Sequence, residues 1–284
     1  MYGGSIVSWG EVTVFSSNNA SHIGGAIVVS SGSHVLWSGD TTFVANNARF
    51  GGALGVVWNS SASWTGDTTF TNYSANSYGG ALYLGGSSFL SWGGNTAFGN
   101  NKAGFGGVLG IFQSTVSWSG KTYFNMNNAL NSGGVFVVIE SNVSWSGDTT
   151  FVSNSAKVLG GVSYVITSSS VSWSGKTNFT ANSAVYGGAF YLEGNSLLTW
   201  NGTTVYNRNI AVGGDYGSGG ALVVGSNSTA TIDGKTSFDS NCGETILPCP
   251  GVLKLVFSTI PLNSPGGQYL GSTPLYLGMR LQIS

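Results

Sequence analysis

The chain has 284 residues, a net charge of −1 and only 7% charged residues, against roughly 25% in an ordinary soluble domain. So few Lys and Arg leave no basic footprint for nucleic acid, and no apolar run reaches the ~20 residues of a membrane-spanning helix. At 41% hydrophobic and 13% aromatic residues, the chain is too apolar to be a disordered segment.

Taken in chain order, the sequence is a repeat. Gly-Gly pairs end at Gly25, Gly52, Gly80, Gly107, Gly134, Gly161, Gly188 and Gly220, in steps of 27, 28, 27, 27, 27, 27 and 32 residues. A Trp column runs through Trp9, Trp37, Trp64, Trp92, Trp118, Trp145, Trp173 and Trp200, and Ile232 closes it. Six residues after each member stands an aromatic: Phe15, Phe43, Phe70, Phe98, Phe124, Phe151, Phe179, Tyr206 and Phe238. This spacing is constant while the others vary, so the Trp-to-aromatic piece is rigid and the turns around the Gly-Gly strand are adjustable. The first residues read as the interior of a repeat without a leader at Met1, so the chain is expected to be truncated at its N-terminus.

Each unit reads as three short strands. One follows Gly-Gly, as in Ala81, Leu82, Tyr83 and Leu84; one ends on Trp, as in Val143, Ser144 and Trp145; one ends on Phe, as in Thr149, Thr150 and Phe151. Two residues before each Trp is an apolar residue, and a small polar residue stands between them in most units, as at Ser63, Ser91 and Ser117. Period-2 alternation therefore turns Trp inward. Gly stands two after Trp from Gly39 to Gly202, a position that suits a turn of positive φ. The expected fold is all-β: a right-handed single-stranded parallel β-helix of about nine coils of 27–28 residues over 1–241. Handedness follows the general preference of parallel crossovers, and stacking at ~4.8 Å per coil makes a rod of roughly 40 Å. Its core ladders are Trp37, Trp64, Trp92, Trp118, Trp145, Trp173 and Trp200, with Phe43, Phe70, Phe98, Phe124, Phe151 and Phe179. A β-propeller needs blades of about 40 residues or more, and a leucine-rich solenoid needs Leu and Asn that the repeat lacks.

Residues 242–284 break the repeat, hold all five prolines and read as a capping tail. Cys242 and Cys249 are the only cysteines; they read as a local disulfide of an oxidising compartment, with two free thiols as the alternative. N-x-Ser/Thr sequons begin at Asn19, Asn59, Asn72, Asn142, Asn178, Asn201 and Asn227. They would carry glycans only in a eukaryotic secretory setting.

Two motifs alternate along the chain: Gly-Gly-Ala/Val-apolar, and Phe-x-x-Asn at Phe15/Asn18, Phe43/Asn46, Phe98/Asn101, Phe124/Asn127, Phe151/Asn154, Phe179/Asn182 and Phe238/Asn241. Tyr206/Asn209 is a variant, and the third coil has Tyr73 in the Asn place. The pairing resembles the repeats of chlamydial polymorphic outer-membrane proteins over roughly residues 3 to 241. The resemblance implies a β-helical surface protein with an adhesive role. The family's C-terminal translocation barrel has no counterpart in the 43 residues after Asn241. The Asn itself can sit in a turn, tolerate a left-handed backbone and hydrogen-bond along a stack.

Parallel β-helices also carry polysaccharide lyases and hydrolases, which need clustered carboxylates. Asp40, Asp67 and Asp148 share a repeat position three before Phe, and Asp40 and Asp67 fall on adjacent coils, a weak cation site. Lys121, Lys176 and Lys235 in the same column favour a solvated turn instead. His22 and His34 have no ligand motif around them. A Thr stands two before every third-strand aromatic, from Thr13 to Thr236. It alternates inward, so an ice-binding array is a poor third reading. No cofactor is implied.

The outer face of the Gly-Gly strands is the candidate binding surface. Its columns are Val28, Gly55, Tyr83, Gly110, Val137, Tyr164, Tyr191 and Val223, and beside them Ser30, Val57, Gly85, Phe112, Ile139, Ile166, Glu193 and Gly225, with Trp58 next to Val57. An apolar stripe of this kind marks a partner surface or lies under a covering segment. The candidate binding residues are Tyr83, Tyr164, Tyr191, Phe112, Ile139, Ile166 and Trp58, and the expected partner is a glycan or a surface protein of a host or neighbouring cell. The expected role is a non-enzymatic adhesin or stalk, secreted or at the cell surface (the outer membrane, in a bacterium).

Overall fold

The computed structural model describes residues 3–213, 219–243, 256–258 and 281–283. It is a parallel β-solenoid, with no helix among the described residues. One coil contains the strands Leu82–Gly85, Phe89–Trp92 and Thr96–Gly99, then a two-residue strand Lys102–Ala103. Successive coils pair in parallel and in register, so that Leu82 lies between Leu54 and Leu109, Trp92 between Trp64 and Trp118, and Phe98 between Phe70 and Phe124. Among the described residues the three expected strands per coil form sheets of nine, ten and nine strands, and the two-residue strands add a fourth sheet of eight. Two residues carry no period-2 alternation, and the signal of that fourth sheet in the sequence is instead an Ala five residues after the third-strand aromatic, from Ala48 to Ala211.

Within the expected tail, Val256–Ser258 extends the Gly-Gly sheet in parallel and Leu281–Ile283 pairs antiparallel with Thr229–Ile232. Cys242 is disulfide-bonded; Cys249 and most of the tail lie outside the described residues.

The Trp column from Trp37 to Trp200 is fully buried, each ring at most 1% exposed. Neighbouring Trp rings stack at 4.4 to 5.7 Å, and the Phe column from Phe15 to Phe238 stacks at 4.7 to 4.9 Å. The two stacks meet edge to face, as Phe70 and Trp92 do at 6.0 Å and 86°, the geometry that ring quadrupoles favour. Phe136 and Phe190 of the Gly-Gly strands wedge edge-on against Phe124 and Phe179.

Two polar ladders run inside the corners. Asn154 accepts the backbone N–H and Nδ2–H of Asn127 on Oδ1, and its own Nδ2 donates to Asn182 Oδ1 and to the Phe124 carbonyl. The same pattern recurs from Asn101 to Asn241. Tyr73 interrupts it: Asn46 Nδ2 donates to the Tyr73 hydroxyl. The left-handed residue is not the Asn but the one before it, from Ser17 to Ser240. At the other corner the Ser hydroxyls from Ser60 to Ser228 accept the preceding coil's Ser N–H, as Ser141 Oγ does from Ser114 N at 3.0 Å. The inward Thr column is also structural: Thr149 Oγ1 donates to the Gly147 carbonyl, and Thr68 Oγ1 accepts from Trp92 Nε1.

Glycine is required for two different reasons. Gly79 has φ +68°, and a Cβ there would sit 1.9 Å from the Leu82 carbonyl oxygen. The glycine two after Trp does not have positive φ, contrary to the expectation from its turn position. A Cβ on Gly94 would meet the Gly66 carbonyl oxygen at 2.2 Å, so close approach of consecutive coils selects Gly there.

Two buried side chains generate predictions. Asn154→Ala orphans the Asn127 and Phe124 backbone groups in a dry corner, so stability should fall by about 3 kcal/mol or more in urea unfolding. An unchanged midpoint would remove the ladder from the account. The Tyr206 hydroxyl is buried and has no hydrogen-bond partner among the described residues, and burial pushes its phenol well above the ordinary value of 10.0. The folded state therefore binds the phenolic proton more tightly than the unfolded state. Its contribution is complete below pH 10 and is lost as pH rises beyond that. Tyr206→Phe should raise stability by about 1 kcal/mol at neutral pH and reduce the alkaline loss, read from thermal midpoints across pH 7 to about 11.

Candidate binding face

The outer side of the Gly-Gly sheet carries a second layer of side chains. Its source is the residue just before six of the eight Gly-Gly pairs: Ile23, Phe50, Tyr78, Phe105, Leu159 and Tyr186, which bridge pairwise between coils. Glycines in the outward column make room for it. A Cβ on Gly55 would lie 2.1 Å from Ile23 Cγ2, and one on Gly110 would lie 2.9 Å from Tyr78 Cβ and 3.3 Å from Phe112 Cε2. The small residues of the sheet and the large residues before Gly-Gly thus interlock. This layer was missed in the sequence, although its signal, an apolar residue ahead of most Gly-Gly pairs, is visible there.

Five rings form one continuous cluster. Phe50 meets Tyr83 at 5.2 Å, Tyr83 meets Phe112 at 5.5 Å, Phe112 meets Tyr78 edge-on at 4.9 Å, and Tyr78 stacks on Phe105 at 5.1 Å. The Arg49 guanidinium lies 5.2 Å from the Phe50 ring centre, and His22 packs edge-on at 5.4 Å. Burial raises the Tyr83 phenol, helped by Tyr78. Trp58 is 59% exposed and left-handed at φ +57°, a backbone state a bulky residue adopts at a cost.

Three coils further along, Tyr164 and Tyr191 are register partners. Their centroids are 5.9 Å apart and their planes 62° apart. The Tyr164 hydroxyl donates to Glu193 Oε1. Burial, then that carboxylate, pushes the Tyr164 phenol up. Tyr83, Tyr164, Tyr191, Phe112, Ile139 and Ile166 are all half-buried. Val57 and Val137, read as part of the exposed stripe, are only 3% and 1% exposed. The stripe therefore holds two aromatic clusters, joined by the half-buried column Phe112, Ile139 and Ile166.

The aspartate column behaves as turn chemistry. Asp40 Oδ1 accepts the Asp67 N–H at 2.9 Å, Asp67 Oδ1 accepts the Asn95 N–H at 2.8 Å, and Asp148 Oδ1 accepts the Lys176 N–H at 3.1 Å. Each carboxylate closes the turn of the following coil. His34 Nδ1 lies 2.7 Å from Ser61 Oγ. Among the described residues no group of three or more His, Cys, Asp and Glu side chains could hold a metal ion. Elsewhere, a shallow groove of about 290 Å³ runs over the outer face of the Trp sheet, lined by hydroxyls such as Ser117, Ser144 and Ser172. No helix among the described residues is long and apolar enough to cross a membrane.

Comparison of the chain with family models, with curated proteins and with solved structures finds no match in any of the three.

The interlocking predicts a local effect. Gly110→Ala forces Tyr78 and Phe112 apart, so near-ultraviolet dichroism of the aromatic cluster should change at a cost of about 1–3 kcal/mol. An unchanged aromatic spectrum would show that the rings do not rest on Gly110.

Proposed function

We propose that the chain is a non-enzymatic, secreted or cell-surface β-helix, a rigid stalk that carries an adhesive face on its Gly-Gly sheet. The observation that carries this reading is the aromatic layer itself. Half-exposed rings are held rigidly on a sheet whose glycines accommodate them, and rigid aromatic anchors give contact area at low entropic cost. The repeat motifs support the reading through their likeness to those of the chlamydial polymorphic outer-membrane proteins, as does the disulfide at Cys242, which suits an oxidising compartment. The partner is a glycan or a protein of a neighbouring cell surface. Against the lyase and hydrolase reading, Asp40 and Asp67 already spend an oxygen each on backbone N–H groups.

Tyr164→Ser combined with Tyr191→Ser should abolish binding to cells or to a glycan array while the thermal midpoint stays within a few degrees, the effect of about 1 kcal/mol. A loss of several kcal/mol, as for buried aromatics, would make the face internal packing and overturn the proposal. So would turnover of pectin or alginate that Asp67→Asn abolishes.

A further inference from the structure

The second aromatic patch contains a group that breaks the repeat. At the outer end of the Gly-Gly strands, Phe112, Ile139 and Ile166 are register partners. The next coil places Glu193 at the same repeat position. No other coil carries a charged residue at this position, which is otherwise Ser, Gly, Val, Phe or Ile, and departures from a repeat's own pattern concentrate at functional positions.

The surroundings of Glu193 are chemically specific. It is half-buried, and the Tyr164 hydroxyl donates to it. Among the described residues no Lys, Arg or His forms an ion pair with it. A partly desolvated charge with only a neutral partner is poorly compensated. Beside it, the Tyr164 and Tyr191 rings form a corner, 5.9 Å apart and inclined by 62°. Ring faces are the negative part of the aromatic quadrupole and attract cations within about 6 Å of the centroid.

We propose that Glu193, Tyr164 and Tyr191 bind an alkylammonium group, primary or quaternary, carried by a ligand docking on this face. The assignment rests on the reading of the face as the binding surface and adds the chemistry of the ligand. An organic ammonium offsets the carboxylate charge and lays its apolar carbons on the rings. A neutral sugar would stack on the rings but leave the charge uncompensated. A bare calcium ion needs about six to eight oxygen ligands, more than one carboxylate and two phenols supply.

The test titrates the intact chain with choline chloride, n-butylammonium chloride and methyl glucoside, following the tyrosine ring signals by NMR. At least one ammonium should saturate the Tyr164 and Tyr191 signals, with affinity that falls as ionic strength rises. Glu193→Gln preserves the acceptor for the Tyr164 hydroxyl and removes the charge, so it should weaken the ammonium by about tenfold or more with little change in thermal midpoint. Preference for choline assigns a quaternary headgroup, and preference for butylammonium assigns a primary amine such as a lysine side chain. Saturation by neither ammonium, undiminished affinity in Glu193→Gln, or equal binding of methyl glucoside would overturn the inference. If neither ammonium binds while the double tyrosine variant still abolishes adhesion, this assignment fails and the adhesive reading stands.

Discussion

Every feature of the molecule depends on in-register parallel pairing between consecutive coils. Each strand satisfies its backbone through the coils above and below at about 4.8 Å, so each side chain lies over its own equivalent. A residue type is therefore selected by how it stacks on itself. Trp and Phe stack as rings, Asn passes its amide along the column, and Gly allows carbonyl groups to approach where any Cβ would collide. Charge stacks badly on like charge, which accounts for a chain with 7% charged residues. Where acids do recur, Asp40 and Asp67 each cap a backbone N–H of the next coil, and Asn95 and Lys121 follow in the same column.

The same rule localises variation. A substitution inside a ladder is felt by two neighbours, so the inner columns are nearly uniform. Tyr73 and Tyr206 are the instructive departures. Tyr73 takes the Asn position and recovers one hydrogen bond through its hydroxyl, whereas Tyr206 keeps the ring stack and leaves its hydroxyl without a partner among the described residues. The outer columns carry the freedom. There the alternation of Gly55, Tyr83 and Gly110 lets Ile23 and Tyr78 from the preceding turn settle onto the sheet, and Glu193 follows Phe112, Ile139 and Ile166 in their column.

A rod of this kind separates two tasks physically. The interior is a continuous apolar and amide-bonded stack with stiffness along its axis, and it needs nothing from the surface. The surface of the Gly-Gly sheet can therefore carry aromatic rings, an exposed Trp and a carboxylate with no ion pair among the described residues, without cost to the core. Tyr78 and Phe112 rest on Gly110, where a Cβ would crowd both side chains, the kind of preorganisation that a binding surface requires.

The sequence by itself determined the fold class, the three main strands, and the inward direction of Trp, Phe and Thr. It could do so because stacking repeats each choice about nine times, and period 2 assigns faces without reference to distant contacts. Only the tertiary structure decided why the glycine after Trp is glycine, where the left-handed residue of the Phe-x-x-Asn turn sits, and that a fourth short sheet exists. Those depend on the distance between adjacent coils and on backbone angles, neither of which a one-dimensional spacing contains. It also decided that the rings of the expected stripe gather in two clusters, with Val57 and Val137 covered and Glu193 beside Tyr164. Ile23 and Tyr78, each ahead of a Gly-Gly pair, fold back over the sheet at Gly55 and Gly110, and that return is set by three-dimensional packing rather than by the pattern of any single strand.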